Sequence, residues 1–240
     1  MRKIILFGFA CFGMMSILFT SCKKSNPAIA NANNAIAYIY KTNNEDGLAF
    51  KGLMEKNNCT VQLIEMADVP LHGYAKYKLI VADDNTSEVG QGNWTDAHVN
   101  TLKSSGKPML LLGMGGLLYA KKIGNAAHWD NCGQFEEAAL LVMDKQSNLF
   151  KKPKLLIVPP DQKISLFTAP SLGAGQQLPG GTLPGVTLIG AFPGHPTYYP
   201  LSNEKNRYTV FGFYKGVSGM TAAGKDFMVN LVYASGNLSL

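Results

Sequence analysis

A strand that runs straight into a cluster of glycines limits the folds open to this chain more than any other feature. Residues 108–112 (Pro-Met-Leu-Leu-Leu) are apolar, Gly113-Met-Gly-Gly116 follows without a spacer, and residues 117–123 read as a helix. A short, continuously apolar run of this kind suits a strand covered on both faces. Glycines at its end permit a tight turn with close backbone approach. The result is a strand–turn–helix elbow that presents one residue at a helix N-terminus, where unpaired N–H groups favour an anion.

The remainder of the first half agrees with a parallel sheet. Residues 35–40 and 78–82 are further apolar strands, and 60–65 alternates as a strand nearer an edge. Residues 48–56 are helix-like, and Thr95 can cap a second helix that runs to about residue 104 and ends at Gly106. Strands separated by helices imply right-handed crossovers and a flavodoxin-like α/β fold, mostly parallel, with helices on both faces and strand order 2-1-3-4. The second half changes character. Residues 138–143, 155–158, 164–168, 186–191 and 208–213 are closely spaced strands, expected to be partly antiparallel. A closing helix over 221–234 is capped by Thr221 and puts Phe227, Met228, Leu231 and Val232 on one stripe. Residues 170–185 hold three prolines, five glycines and no charge, and read as a loop, either a lid or an insertion without consequence.

The N-terminus has a different logic. Arg2 and Lys3 precede a run of 16 uncharged residues, 4–19, that ends in Phe19-Thr-Ser-Cys22. A membrane-spanning helix needs about 20 apolar residues, so the run is the length of a signal sequence. Small residues just before a cysteine look like a lipobox, in which the Cys22 thiol takes a diacylglycerol, although Phe19 departs from the usual Leu or Val. An ordinary secretory signal cut near Ser21, or an uncleaved anchor, would use the same residues. The expected organisation is a signal over 1–21, a polar tether over 22–34 and one α/β domain over 35–240. The product would be anchored by lipid to a bacterial membrane, facing the periplasm or the cell surface. Lys23 and Lys24 could sit against anionic headgroups.

Loss of the signal lowers the formal charge from +6 to +4, and no run of Lys or Arg exceeds two. A nucleic-acid partner has no electrostatic footprint here. Of four cysteines, Cys11 leaves with the signal and Cys22 is lipidated, which leaves Cys59 and Cys132 as two separate thiols. The histidines at 72, 98, 128 and 195 are scattered, so neither a metal site nor a cofactor is expected.

The elbow resembles that of the class I glutamine amidotransferase-like superfamily, where a cysteine stands in the middle position. The likeness continues in Tyr77-Lys-Leu-Ile-Val running into Asp83-Asp84, in Gly106-Lys-Pro before the elbow, and in Tyr208-Thr-Val-Phe-Gly-Phe213 followed by Gly219-Met-Thr. This arrangement is similar to the trehalose-utilisation-protein-like branch. The resemblance places Met114 at the nucleophile position, and a thioether cannot be activated by a base. It would also require a histidine followed two residues later by glutamate, whereas His195 is followed by Pro196 and Thr197. The resemblance therefore implies the fold without the acyl-transfer chemistry.

Ligands of open α/β sheets bind beyond the carboxyl ends of the strands. That crevice would gather Thr42, Asn43 and Asn44, then Asp83, Asp84 and Asn85, the backbone of Gly113, Met114, Gly115 and Gly116, and His195. Carboxylates beside amides and glycines suit a small molecule such as a carbohydrate. Two functions are open: a non-catalytic module binding a small molecule or a protein partner, and a carbohydrate hydrolase that uses Asp and His with water. A lipid anchor makes its own prediction. Cys22→Ala should leave the chain unprocessed or soluble, measured by fractionation of cells expressing it, because anchoring of this kind needs more than one acyl chain. Unchanged membrane recovery of the variant would remove the lipobox.

Overall fold

The computed structural model describes residues 34–90, 93–177 and 184–239; the signal, Cys22 and all but the last residue of the tether lie outside the described residues. The first half folds as β1 (Ala35–Tyr40), α1 (Glu45–Glu55), β2 (Thr60–Glu65), β3 (Leu79–Ala82), α2 (Asp96–Ser104), β4 (Met109–Leu112) and α3 (Gly113–Lys122). β1 pairs in parallel with both β2 and β3, and β3 with β4, which gives the order 2-1-3-4.

The second half contributes β5 (Cys132–Glu137), β6 (Ala139–Val142), β7 (Lys163–Ser165), β8 (Ser171–Gln176), β9 (Val186–Ala191), β10 (Leu201–Glu204), β11 (Tyr208–Phe211) and α4 (Ala222–Gly236). β11 lies parallel beside β4, and β10, β9, β6 and β7 follow it antiparallel, so that nine strands form one sheet among the described residues. β5 and β8 form a separate antiparallel ribbon. The fold is thus the expected flavodoxin-like one, with an antiparallel extension.

Strand residues alternate between two apolar cores because successive side chains point to opposite faces. Ile36, Tyr38, Leu79, Val81 and Leu110 pack with Phe50 and Met54 of α1 and Phe227, Met228 and Leu231 of α4. Ala37, Ile39, Ile80, Met109 and Leu111 pack with Val99 and Leu102 of α2 and Leu117, Tyr119 and Ala120 of α3. Both faces are covered, which is why these strands have no polar side. Cys59 belongs to the first core, while Cys132 packs against the second, and both are free thiols.

Three sequence expectations change. Ser171–Gln176 is a strand within the segment read as a loop, because its glycines lie where the rings of Phe192 and Phe213 press against the backbone. Residues 155–158 join no strand. The buried amide of Asn230 on α4 takes the adjacent backbone instead, accepting from Lys154 N and donating to Lys154 O, both at 2.8 Å, and Pro159 and Pro160 lack N–H groups to pair. The elbow helix starts at Gly113 rather than Leu117, for reasons that lie at its N-terminus.

There, Trp94 is buried and its Nε1 donates to Gly115 O at 2.9 Å. A Cβ on Gly115 would run into Thr86 Oγ1 and the carbonyls of Asp83 and Asp84. Overpacking against backbone cannot relax by a rotamer change. Gly115→Ala should therefore lower stability by about 2–3 kcal/mol, read as a lowered urea midpoint; an unchanged midpoint would mean that α3 is not seated on the end of β3 in this way.

Candidate functional site

Five parallel strands, β2, β1, β3, β4 and β11, end on one side of the sheet, and three aspartates meet there. Asp83 and Asp84 follow β3, and Asp46 stands in the first turn of α1. With Tyr38, Leu112, Phe213, Tyr214 and Lys215 they line a cavity of about 20 Å³, room for roughly one water molecule.

The elbow turns on Gly113, whose φ of +51° is the left-handed conformation that favours glycine. Met114 is already one residue inside α3, so the residue held in the turn's special conformation is Gly113, and it has no side chain. The carboxylate of Asp84 fills the space instead. A Cβ at Gly113 would overlap it, and its Oδ1 accepts the Met114 N–H at 2.6 Å. Leu112 supplies no cap of its own. The helix terminus that would favour an external anion thus already holds an internal one.

Asp83 is buried. Its Oδ1 accepts the Asp84 N–H at 2.8 Å, and its Oδ2 has no hydrogen-bond partner. Desolvation pushes its carboxyl up to about 7, and the nearby Tyr38 hydroxyl and the Asp84 amide offset only part of that. Asp84 rises to about 6, again mainly by burial; the Met114 N–H pulls the other way, and Asp46 adds repulsion. Tyr38 is held well above its ordinary value by burial and then by the charge of Asp83. Lys215 does not neutralise the group directly, since its Nζ donates to Pro170 O at 3.3 Å.

The remaining predicted residues tie loops together. Asn85 accepts from Lys41 N at 2.8 Å and donates to Asn43 O at 2.7 Å, while Asn43 Oδ1 accepts from Glu45 N. Thr42, Asn43 and Asn44 are exposed; Gly115 and Gly116 are buried. His195 sits in the turn between β9 and β10, stacked on Phe135 with ring centroids 3.7 Å apart, and does not line the aspartate cavity. The other histidines are also engaged structurally: His72 with Tyr77, His98 in the capping box of α2, and His128 accepting from Asp130 N. Neither thiol is activated, because burial raises Cys59 to about 11 and Cys132 to about 12. No group of three His, Cys, Asp or Glu side chains suited to a metal occurs among the described residues.

A larger cleft of about 450 Å³, not anticipated from the sequence, opens between the segment after β3 and the flank of α3. It is lined by Ser87, Glu88, Asn93, Trp94, Leu118, Lys121 and Lys122. Asn93 Oδ1 accepts from Lys41 Nζ at 2.9 Å, but its buried Nδ2 has no partner. Lys121 and Lys122 are paired with Asp130 and Asp96, each at 2.8 Å. Only the neighbouring Asp-Asp-Asn and elbow signals were available to indicate it, since its walls come from three separate segments.

The aspartates give a pH dependence with a definite sign. Their folded carboxyls titrate near 7 and 6 against an ordinary 3.8. Between those limits the folded protein holds protons that the unfolded chain has released, so stability falls as pH rises through the window. Asp83→Asn keeps the acceptor for Asp84 N–H and removes a charge. It should gain on the order of 2 kcal/mol at pH 8 and flatten the dependence of Tm on pH. A variant that parallels the wild type from pH 4 to 8 would place the titration elsewhere.

Comparison with known proteins is consistent with this architecture. No protein-family model and no curated protein matches the chain. Among solved structures, it is similar to a protein of Thermoplasma acidophilum assigned as a GMP synthase subunit, with 10% identity and TM-score 0.53, over 85% of this chain and 95% of that one. It is also similar to PurLQS from Thermotoga maritima, at 12% identity and TM-score 0.54, over 84% and 99% of the two chains. The described chain shares the flavodoxin-like α/β fold of these two structures.

Proposed function

We propose that this is a non-catalytic binding domain on a glutamine amidotransferase-like fold, carried at the bacterial envelope by lipid on Cys22. One observation carries the first part: the elbow residue Gly113 has no side chain, and the carboxylate of Asp84 closes the helix N-terminus behind it. No thiol or hydroxyl stands at the turn to form an acyl intermediate, and the thiols and histidines elsewhere are buried or engaged. A hydrolase using Asp83 or Asp84 with His195 would need them over one substrate-sized cavity. The aspartates instead share space for about one water.

The ligand belongs in the cleft beside α3, whose volume lies within the usual range of about 300–1,000 Å³ for small-molecule sites. Both of its lysines are paired, and Ser87 and Glu88 offer hydroxyl and carboxylate groups. This suits a neutral polyol or sugar better than an anion.

Residues 22–240 with Cys22→Ser should be heated with a panel of monosaccharides, polyols and small acids. A ligand present at about a hundred times its Kd adds about 2.7 kcal/mol, which raises Tm by about 5–10 °C for a domain of this size. Stabilisation by a neutral sugar that disappears in Leu118→Trp, where the indole fills the cleft, is the expected outcome. Turnover of glutamine by the wild type, or stabilisation by acids alone, would overturn the reading.

A further inference from the structure

Residues 151–160 read Lys-Lys-Pro-Lys-Leu-Leu-Ile-Val-Pro-Pro. In the folded chain, Leu155 is 77% exposed and Ile157 is 87% exposed, while Leu156 between them is buried. Met143 is 47% exposed in the turn that follows β6. Lys145 links the two segments, its Nζ donating to Pro160 O at 3.5 Å. Aliphatic residues as open to water as Leu155 and Ile157 gain nothing in the isolated domain.

The charges along this stretch of chain have one dominant sign. Lys145, Lys151, Lys152, Lys154 and Lys163 outnumber Asp144 and Asp161, the acidic residues within 143–163. Lys151 is bound through Gln146 and Lys145 through the carbonyl of Pro160, so neither is paired with a carboxylate. The segment does not collapse onto the surface because α4 holds it: Asn230 clamps Lys154, and Leu156 N donates to Phe150 O at 2.9 Å.

We infer that this face rests on an anionic lipid surface, with Leu155 and Ile157 entering the headgroup boundary and the lysines meeting lipid phosphates. Lysine is depleted at protein–protein interfaces, whereas lysines beside exposed aliphatic residues are the composition of interfacial membrane contacts. Each lysine near an anionic surface strengthens partitioning by about fivefold. The tether allows the approach, since twelve residues from Cys22 to Asn34 can span about 40 Å, more than twice the radius of gyration of about 17 Å expected for a domain of this length. A membrane is at hand only if the chain is exported as proposed, but the contact itself needs no lipid on Cys22.

The test therefore uses residues 22–240 with Cys22→Ser, sedimented with vesicles of phosphatidylcholine alone or mixed with phosphatidylglycerol. Binding should occur on the mixed vesicles and weaken as salt is raised. Leu155→Asp with Ile157→Asp should reduce it by about tenfold or more, and Lys151→Gln with Lys152→Gln and Lys154→Gln by a comparable factor. Both sets should leave Tm unchanged, which separates loss of contact from loss of fold. No binding to mixed vesicles, equal binding to phosphatidylcholine alone, or binding that survives both sets of substitutions would overturn the assignment. Membrane recovery of the Cys22→Ala chain in cells reports separately on the lipid anchor.

Discussion

The hydrogen bond from Met114 N to the carboxylate of Asp84, at 2.6 Å, is the contact on which the carboxyl edge of this sheet depends. It joins the segment after β3 to the first turn of α3 and caps a helix that has no side-chain cap of its own. The price of this arrangement is a buried carboxyl beside two others. A carboxylate at a helix N-terminus gains about 0.3–2 kcal/mol, yet burial outweighs that gain and leaves Asp84 titrating near 6. Asp83, with one oxygen unpartnered, goes further. The edge is organised tightly, but at neutral pH it is charged and under electrostatic tension.

Much of the frame was legible in the chain because apolar strands in a two-layered sheet have a simple signature. The runs at 35–40, 78–82 and 108–112 are each covered on both faces and read as such. Thr95 and Thr221 both cap the helices that follow them. Where the reading failed, tertiary partners had overruled local composition. Ser171–Gln176 looks like a loop because its glycines are chosen for distant rings rather than for turning. Residues 155–158 look like a strand, but Asn230, more than seventy positions away, has taken the neighbouring backbone.

The site was legible in its residues and not in their roles. Asp83, Asp84 and Gly113 do converge where β3 ends and α3 begins. Only the sign of φ at Gly113 shows that the turn falls one residue before Met114, and no sequence pattern carries that sign. His195 failed to join for a similarly local reason: Phe135 on the small β5–β8 ribbon offers it a stacking surface. The cleft beside α3 was invisible because Ser87, Asn93 and Lys121 signify nothing until the fold brings them together.

Gly113 and Asp84 also constrain each other over evolutionary time. A side chain at position 113 has nowhere to go while the aspartate is in place, and removing the aspartate first strips the cap from α3. Each single step leads downhill, so the pair can be exchanged only through a weakened intermediate or by two nearly simultaneous changes. Descendants of this chain are thereby held to an empty elbow, and new activities are more accessible to them on the flanking cleft, where substitutions can be tried one at a time.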